Sequence, residues 1–229
     1  MQTNFVITEN VKSFNSALNR IAARSSKSNR LMLLEGEYGL GKSEAGWQYA
    51  INSPKAIYLR AKALTTPRWI LEDLVRELGE QPLYHASKLF AQAKMQLESN
   101  PRTVIVDEAD YLLHDMRCIE TLRDLHDTTG AAFVIIGMGL LSNKIARHRH
   151  FCDRLAQVVK FHDLPLGDVR QVIATNCDVK LTDDAVKFIH RTSGGRFRQV
   201  KEWMEKAEQI AGVNNLKEIS AANLEGRTK

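Results

Sequence analysis

The chain has 229 residues, 44% hydrophobic and 26% charged, which gives room for one large domain or a medium one with a small companion and excludes a chain too polar to build a core. A formal net charge of +5 permits an acidic partner such as nucleic acid without demanding one. No apolar run approaches the ~18 residues of a spanning helix, the start Met1-Gln2-Thr3-Asn4 lacks a charged region followed by an apolar stretch, and Cys118, Cys152 and Cys177 form no disulfide framework, so a cytoplasmic chain with no membrane partner is expected.

Residues 10–28 read as a helix, with Asn10 placed to cap it and Val11, Phe14, Leu18 and Ile21 at helical spacing. Leu31-Met32-Leu33-Leu34 is a short apolar strand that runs into a glycine-rich turn and then a helix. Ala56-Ile57-Tyr58-Leu59 is a second strand. Thr66-Pro67 opens the next helix, Thr66 as cap and Pro67 where a missing N–H costs nothing. Trp69, Ile70, Leu74 and Leu78 form its apolar side, Gly79 ends it, and another helix covers residues 85–98.

Thr103-Val104-Ile105-Val106 and Ala131-Ala132-Phe133-Val134-Ile135-Ile136 are continuously apolar, as suits strands of a parallel sheet covered on both faces. The helix between them carries Met116, Ile119, Leu122 and Leu125, and Gln157-Val158-Val159-Lys160-Phe161 is a weaker fifth strand. Beyond Asp163-Leu164-Pro165 only helices are expected. One opens on Thr182 with Asp183 and Asp184 in its first turn and stops at Ser193-Gly194-Gly195. The next shows Phe197, Val200, Met204, Ala207 and Ala211 on one face. Trp47, Trp69 and Trp203 are expected in the core, and His114, His126, His148 and His150 at the surface. The implied architecture is an α/β domain over residues 1–163 followed by a small helical domain over 164–229.

The segment Gly36-Glu37-Tyr38-Gly39-Leu40-Gly41-Lys42-Ser43 fits GxxxxGK[ST] and lies between an apolar strand and a helix, the setting that makes the pattern specific. Its glycines let backbone N–H groups point inward at a phosphate chain, and the helix adds its positive end. Lys42 can reach the β and γ phosphates, and the Ser43 hydroxyl can join Mg²⁺. Downstream, Val104-Ile105-Val106-Asp107-Glu108 ends a buried strand on two acids. Asp107 suits the magnesium's water shell, and Glu108 suits orienting and deprotonating a water. ATP and Mg²⁺ are therefore expected, the nucleotide on Gly36 through Ser43 and Asp107, the metal on Ser43 and Asp107, with Lys42 and Glu108 serving hydrolysis.

The order of these parts resembles the AAA+ ATPases over essentially the whole chain. That resemblance implies a P-loop three-layer α/β/α core with a parallel sheet and a small all-helical lid. Tyr58-Leu59-Arg60 leading to Leu64-Thr65-Thr66-Pro67-Arg68-Trp69-Ile70-Leu71, with Asp107-Glu108-Ala109-Asp110-Tyr111-Leu112 and Phe133-Val134-Ile135-Ile136-Gly137-Met138, is most similar to the transposition ATPases related to phage Mu transposition protein B and to the target-selecting ATPases of Tn-seven-type elements. The resemblance implies an ATP-dependent oligomer, a helical filament or ring, on duplex DNA, which recruits a transposase and is dismantled by hydrolysis. It implies that Arg154, just before the fifth strand, is the finger presented to a neighbour's ATP, with Arg147 and Arg149 as rivals. It implies that Arg198 is the second-sensor arginine on the lid. The sequence departs from the family at the first-sensor position, usually polar, where Gly137-Met138 stand with Ser142 and Asn143 beyond; this bears on the speed of hydrolysis.

Residues 55–68 hold Lys55, Arg60, Lys62 and Arg68 with no acid among them. Arg60, Lys62, Thr65, Thr66 and Arg68 are the candidate contacts to duplex phosphates, sequence-blind and salt-sensitive; a solvated charged loop is the alternative. The basic stretch 144–160 reads as an intersubunit surface. Two other functions fit the same motifs: a helicase-loading AAA+ ATPase of replication, and a non-hydrolysing ATP-dependent scaffold.

Overall fold

The computed structural model describes residues 4–139, 141–146 and 152–226. It divides into two compact units. One comprises Ser13–Glu37 and Lys42–Phe161; the other comprises the residues up to Lys12, Tyr38–Gly41, and the chain from His162 onward.

The first unit is built on five parallel strands, β1 (Leu31–Gly36), β2 (Ala56–Arg60), β3 (Thr103–Asp107), β4 (Phe133–Met138) and β5 (Leu155–Lys160), in the order β2-β3-β4-β1-β5. β1 and β3 are buried throughout, and β4 up to Gly137, which is why these segments read as unbroken apolar runs. Helices α3 (Pro67–Glu77), α4 (Ala86–Ser99) and α5 (Met116–Thr129) share one core with Leu31, Leu33, Val104, Val106, Phe133 and Ile135. On the opposite face lie α1 (Glu9–Ala22) and α2 (Lys42–Asn52). Phe14 of α1 sets its edge against Tyr49 and Phe161. Gly46 marks a close approach of α2 to the sheet, since a Cβ there would stand 2.6 Å from Ile136 Cδ1. A parallel sheet with helices on both faces is the expected α/β class.

Several local expectations are corrected. α1 stops at Ala22 because Arg30 donates to the carbonyls of Ile21 (3.0 Å) and Ala22 (2.6 Å), claiming the acceptors of its last turn. The same guanidinium reaches the Gly130 carbonyl at 2.9 Å. Asn10 sits inside the first turn, its side chain bonded to both backbone groups of His162; the Thr8 hydroxyl accepts from the Val11 N–H instead. β4 begins at Phe133, after the turn at Gly130 that closes α5. Thr66 does cap α3, accepting from the Trp69 N–H. Trp47 is half exposed, and His126 is buried with Nδ1 2.9 Å from the Ala131 carbonyl. His148 and His150 lie outside the described residues.

The second unit holds α7 (Leu166–Asn176), α8 (Asp183–Ser193), α9 (Phe197–Asn214) and α10 (Ala221–Glu225), α6 (Leu141–Ile145) belonging to the first. It also holds a two-stranded parallel pair, β6 (Lys180–Leu181) and β7 (Glu218–Ile219), where helices alone were expected. The Thr182 hydroxyl donates across this pair to the Ile219 carbonyl at 3.1 Å rather than capping α8. Val6 joins a core of Val169, Val172, Ile189, Val200 and Met204. The N-terminal segment is tied in by Asn4 N–H to Asn176 (2.7 Å) and Glu9 N–H to Asp168 (2.9 Å). Among the described residues no helix is long and apolar enough to cross a membrane.

Candidate functional site

β1 delivers Gly36 and α2 begins at Lys42. Lys42 is 9% exposed, and its Nζ donates to the carbonyls of Gly36 and Glu37, both at 2.7 Å. The chain thus curls round its own ammonium. Burial pushes the Lys42 pKa down, while the carboxylates of Asp107, Asp110, Glu108 and Glu37 oppose the shift. Ser43 follows, exposed in the first turn of α2.

Asp107, the last residue of β3, is 2% exposed, and its Oδ2 accepts the Tyr58 hydroxyl at 2.5 Å. Burial and the neighbouring carboxylate push the Tyr58 pKa far above its ordinary value, so the phenol stays a donor. Trp47 of α2 packs edge-on against the Tyr58 ring at 5.4 Å. Glu108 adopts a left-handed backbone (φ 56°) that ends the strand and turns the chain into a 3-10 helix, Ala109–His114. Such a conformation costs a non-glycine residue about 1–3 kcal/mol and concentrates at functional sites. The Glu108 carboxylate meets Arg60 of β2 at 3.3 Å. Asp110 Oδ2 accepts the N–H of Met138 at 2.6 Å. Met138 stands opposite Gly36 in the β1–β4 register, and is the exposed end of β4. One residue before Gly36, buried Glu35 accepts the Ser142 N–H (3.0 Å) and pairs with Lys160 (3.2 Å); Asn143 is exposed.

In the second unit, Gly39 (φ 77°) and Gly41 (φ 87°) hold left-handed conformations that side chains resist. The start of α9 meets them directly. Arg198 N–H donates to the Gly39 carbonyl at 2.9 Å, and the Phe197 ring lies 3.5 Å from where a Gly41 Cβ would be. Arg196 stacks over the Tyr38 ring and donates to its hydroxyl at 2.9 Å. Leu40 is buried.

Within the first unit the set suits a magnesium-bound triphosphate: a buried ammonium, an exposed hydroxyl and a strand-end carboxylate. The remaining candidates are dispersed. Arg154 pairs with Asp127 at 3.0 Å, and Arg147 and Arg149 lie outside the described residues. Of the proposed DNA contacts, Arg60 is paired with Glu108, and Arg68 with Glu72 at 2.9 Å while lying over the Tyr84 ring. Lys62 makes no ion pair among the described residues and lies over the Trp69 ring. The hydroxyls of Thr65 and Thr66 accept from the Lys62 and Trp69 N–H groups, which leaves each hydroxyl proton to donate.

Tyr58 and Asp110, beside Asp107 and at the end of β4, and Arg196, against Tyr38 in the second unit, are residues that sequence reasoning passed over as participants. Tyr58 shares the two-residue period of Arg60 on β2, a parity that places both on one face. Asp110 and Arg196 carry no comparable pattern.

A family model described as an AAA domain matches residues 24–145, more than half of the chain. The chain belongs to that family. This AAA chain is an ATPase. No curated protein gives a significant match to it. Among solved structures it is similar to the ORC1 protein of Aeropyrum pernix in complex with DNA, at 16% identity and a TM-score of 0.69, with 95% of this chain and 63% of that one covered. It is similar to the ORC2 protein of the same organism in ADPNP-ADP complexes, at 13% identity and a TM-score of 0.68 over 93% and 65% of the two chains. It is also similar to a RuvB mutant of Thermotoga maritima, at 17% identity and a TM-score of 0.66 over 97% and 69%. Identities this low establish the fold of the AAA chain. It spans less than two thirds of the length of the two archaeal structures.

Proposed function

We propose that this AAA ATPase uses ATP to assemble on duplex DNA and to direct a transposase to its target, with hydrolysis dismantling the assembly. The observation that carries the reading is the buried Lys42 ammonium encircled by its own loop, on the same sheet end as Asp107 and Glu108. Lys42 and the loop N–H groups hold the phosphates. Ser43 and Asp107 would hold Mg²⁺, which when bound offsets phosphate charge; Tyr58 fixes the orientation of Asp107. Glu108 orients water and accepts its proton. Arg198 senses phosphate from the helical unit. Arg154 leaves Asp127 to reach a neighbouring copy's nucleotide, which makes assembly depend on ATP. Lys62 and the Thr65 and Thr66 hydroxyl protons grip duplex phosphates without reading bases.

The transposase partner rests on the likeness of the segments around Arg60, Asp107 and Gly137 to transposition regulators. A replication ATPase is the second reading, favoured by the similarity to ORC1 and ORC2. Duplex binding measured with ATP, with ADP and without nucleotide tests the core claim. Tight binding and sedimentation as an oligomer are expected with ATP alone. A protein that stays monomeric and ignores DNA under all three conditions would overturn it. Co-purification with a transposase or with a replicative helicase then chooses between the two readings.

A further inference from the structure

We infer that Asp110 is a positioning residue for hydrolysis: its carboxylate holds the end of β4 beside the phosphate loop, in place of a polar side chain on β4 itself. The inference rests on the reading of Lys42 and Glu108 given above.

The β3–β4 register ends at Val106↔Ile135, whereas the β1–β4 register continues to Gly36↔Met138. The last residues of β4 therefore run past β3 along one edge, and a backbone N–H there needs another acceptor. Asp110, in the turn that follows β3, supplies it, with Oδ2 2.6 Å from the Met138 N–H. Gly137 is the counterpart of this bond. A Cβ at that position would stand 2.7 Å from Asp110 Oδ2 and 2.7 Å from Leu141 Cδ2. A side chain at 137 would make the Asp110 carboxylate or the Leu141 side chain shift, so glycine at 137 leaves room for the bond as it stands.

Its reach into the site is short. Met138 lies opposite Gly36, and the Gly36 carbonyl accepts from Lys42 Nζ at 2.7 Å. On its own segment Asp110 also braces Glu108. That left-handed residue is fixed on one side by Asp107, bonded to Tyr58, and on the other by Asp110, bonded to β4. Release of Asp110 frees the turn that aims the Glu108 carboxylate and leaves the loop around Lys42 in place.

The test compares Asp110→Ala and Asp110→Asn in the full chain, by steady-state ATP hydrolysis and by binding of a fluorescent ATP analogue. Small misplacements of a catalytic group cost up to about 100-fold. Asp110→Ala is expected to lower kcat at least about tenfold with analogue affinity kept within about twofold. Asp110→Asn, whose amide oxygen can accept the same N–H, is expected to recover most of kcat. Three results would overturn the inference: full kcat in Asp110→Ala, an Asn variant as slow as the Ala variant, or a loss of affinity as large as the loss of kcat. Should Asp110→Ala fail to fold, Asp110→Glu takes its place, since the extra methylene displaces the oxygens; a slow enzyme is expected and full kcat overturns the inference. Lys42→Ala, run alongside, reports on the site itself: hydrolysis that survives it removes the reading of the loop, whatever Asp110 does.

Discussion

Arg60, at the end of β2, and Glu108, just past the end of β3, form an ion pair at 3.3 Å. Both side chains are partly exposed, and pairs of this kind contribute about 0–1 kcal/mol. That biases the carboxylate without locking it. Arg60→Ala is therefore expected to raise basal phosphate release by up to about fivefold, because Glu108 no longer divides its time between Arg60 and water. Glu108→Gln should abolish release with or without Arg60. A fall in turnover on removing Arg60, with DNA absent, would contradict this account.

The Tyr58–Asp107 bond makes a prediction about stability. A hydrogen bond to a charged group contributes about 1.5–3 kcal/mol, and Asp107 is 2% exposed. Tyr58→Phe should lower the unfolding free energy in urea by about that amount. Trp47, packed on the Tyr58 ring, gives a local fluorescence probe. An unchanged denaturation midpoint would show that the phenol contributes nothing to holding the carboxylate.

If Arg154 acts on a neighbour's nucleotide, two damaged copies can repair one another. Lys42→Ala and Arg154→Ala should each be inactive alone, yet their mixture should recover a fraction of turnover, since the intact loop of one can face the intact arginine of the other. Asp127→Ala, which releases Arg154 from its 3.0 Å pair, should lower the protein concentration at which ATP drives assembly. A mixture as dead as its components would place the arginine elsewhere.

Salt dependence separates the cations after β2. Lys62→Ala should reduce the slope of log K against log salt by about 1. Arg68→Ala should leave the slope nearly unchanged, because Arg68 is already matched by Glu72. Equal effects of the two substitutions would mean that the Glu72 pair opens on DNA.

The fold was largely legible, because buried parallel strands write themselves as unbroken apolar runs and the loop around Lys42 has a fixed spacing. Element ends were less so. Nothing in the local sequence of α1 says that Arg30, eight residues past Ala22, will take its last carbonyls. The pairing of β6 with β7 joins segments 38 residues apart through two residues each (Lys180↔Glu218, Leu181↔Ile219), too short for any period to register. The site divides in the same way. Gly36, Lys42, Ser43 and Asp107 announce themselves by type and spacing. The partners of Asp107, Glu108 and Met138 come from other strands or from across a turn, and only the sheet register brings Tyr58, Arg60 and Asp110 to them. Two acids just outside the acid-free segment 55–68 meet its cations: Glu108, which the sheet register brings to Arg60, and Glu72, one helical turn past Arg68 on α3.

The two carbonyls that hold Lys42 Nζ also set an entrance requirement. Whatever draws that ammonium away from both carbonyls must offer oxygens more strongly basic than two peptide groups, at close range and in the same direction. A neutral sugar or a lone nucleobase cannot meet it, and a multiply charged phosphate tail can. The loop therefore screens its visitors by charge density before any contact with the base, and a preference among adenine, guanine and the pyrimidines has to be written somewhere other than Lys42.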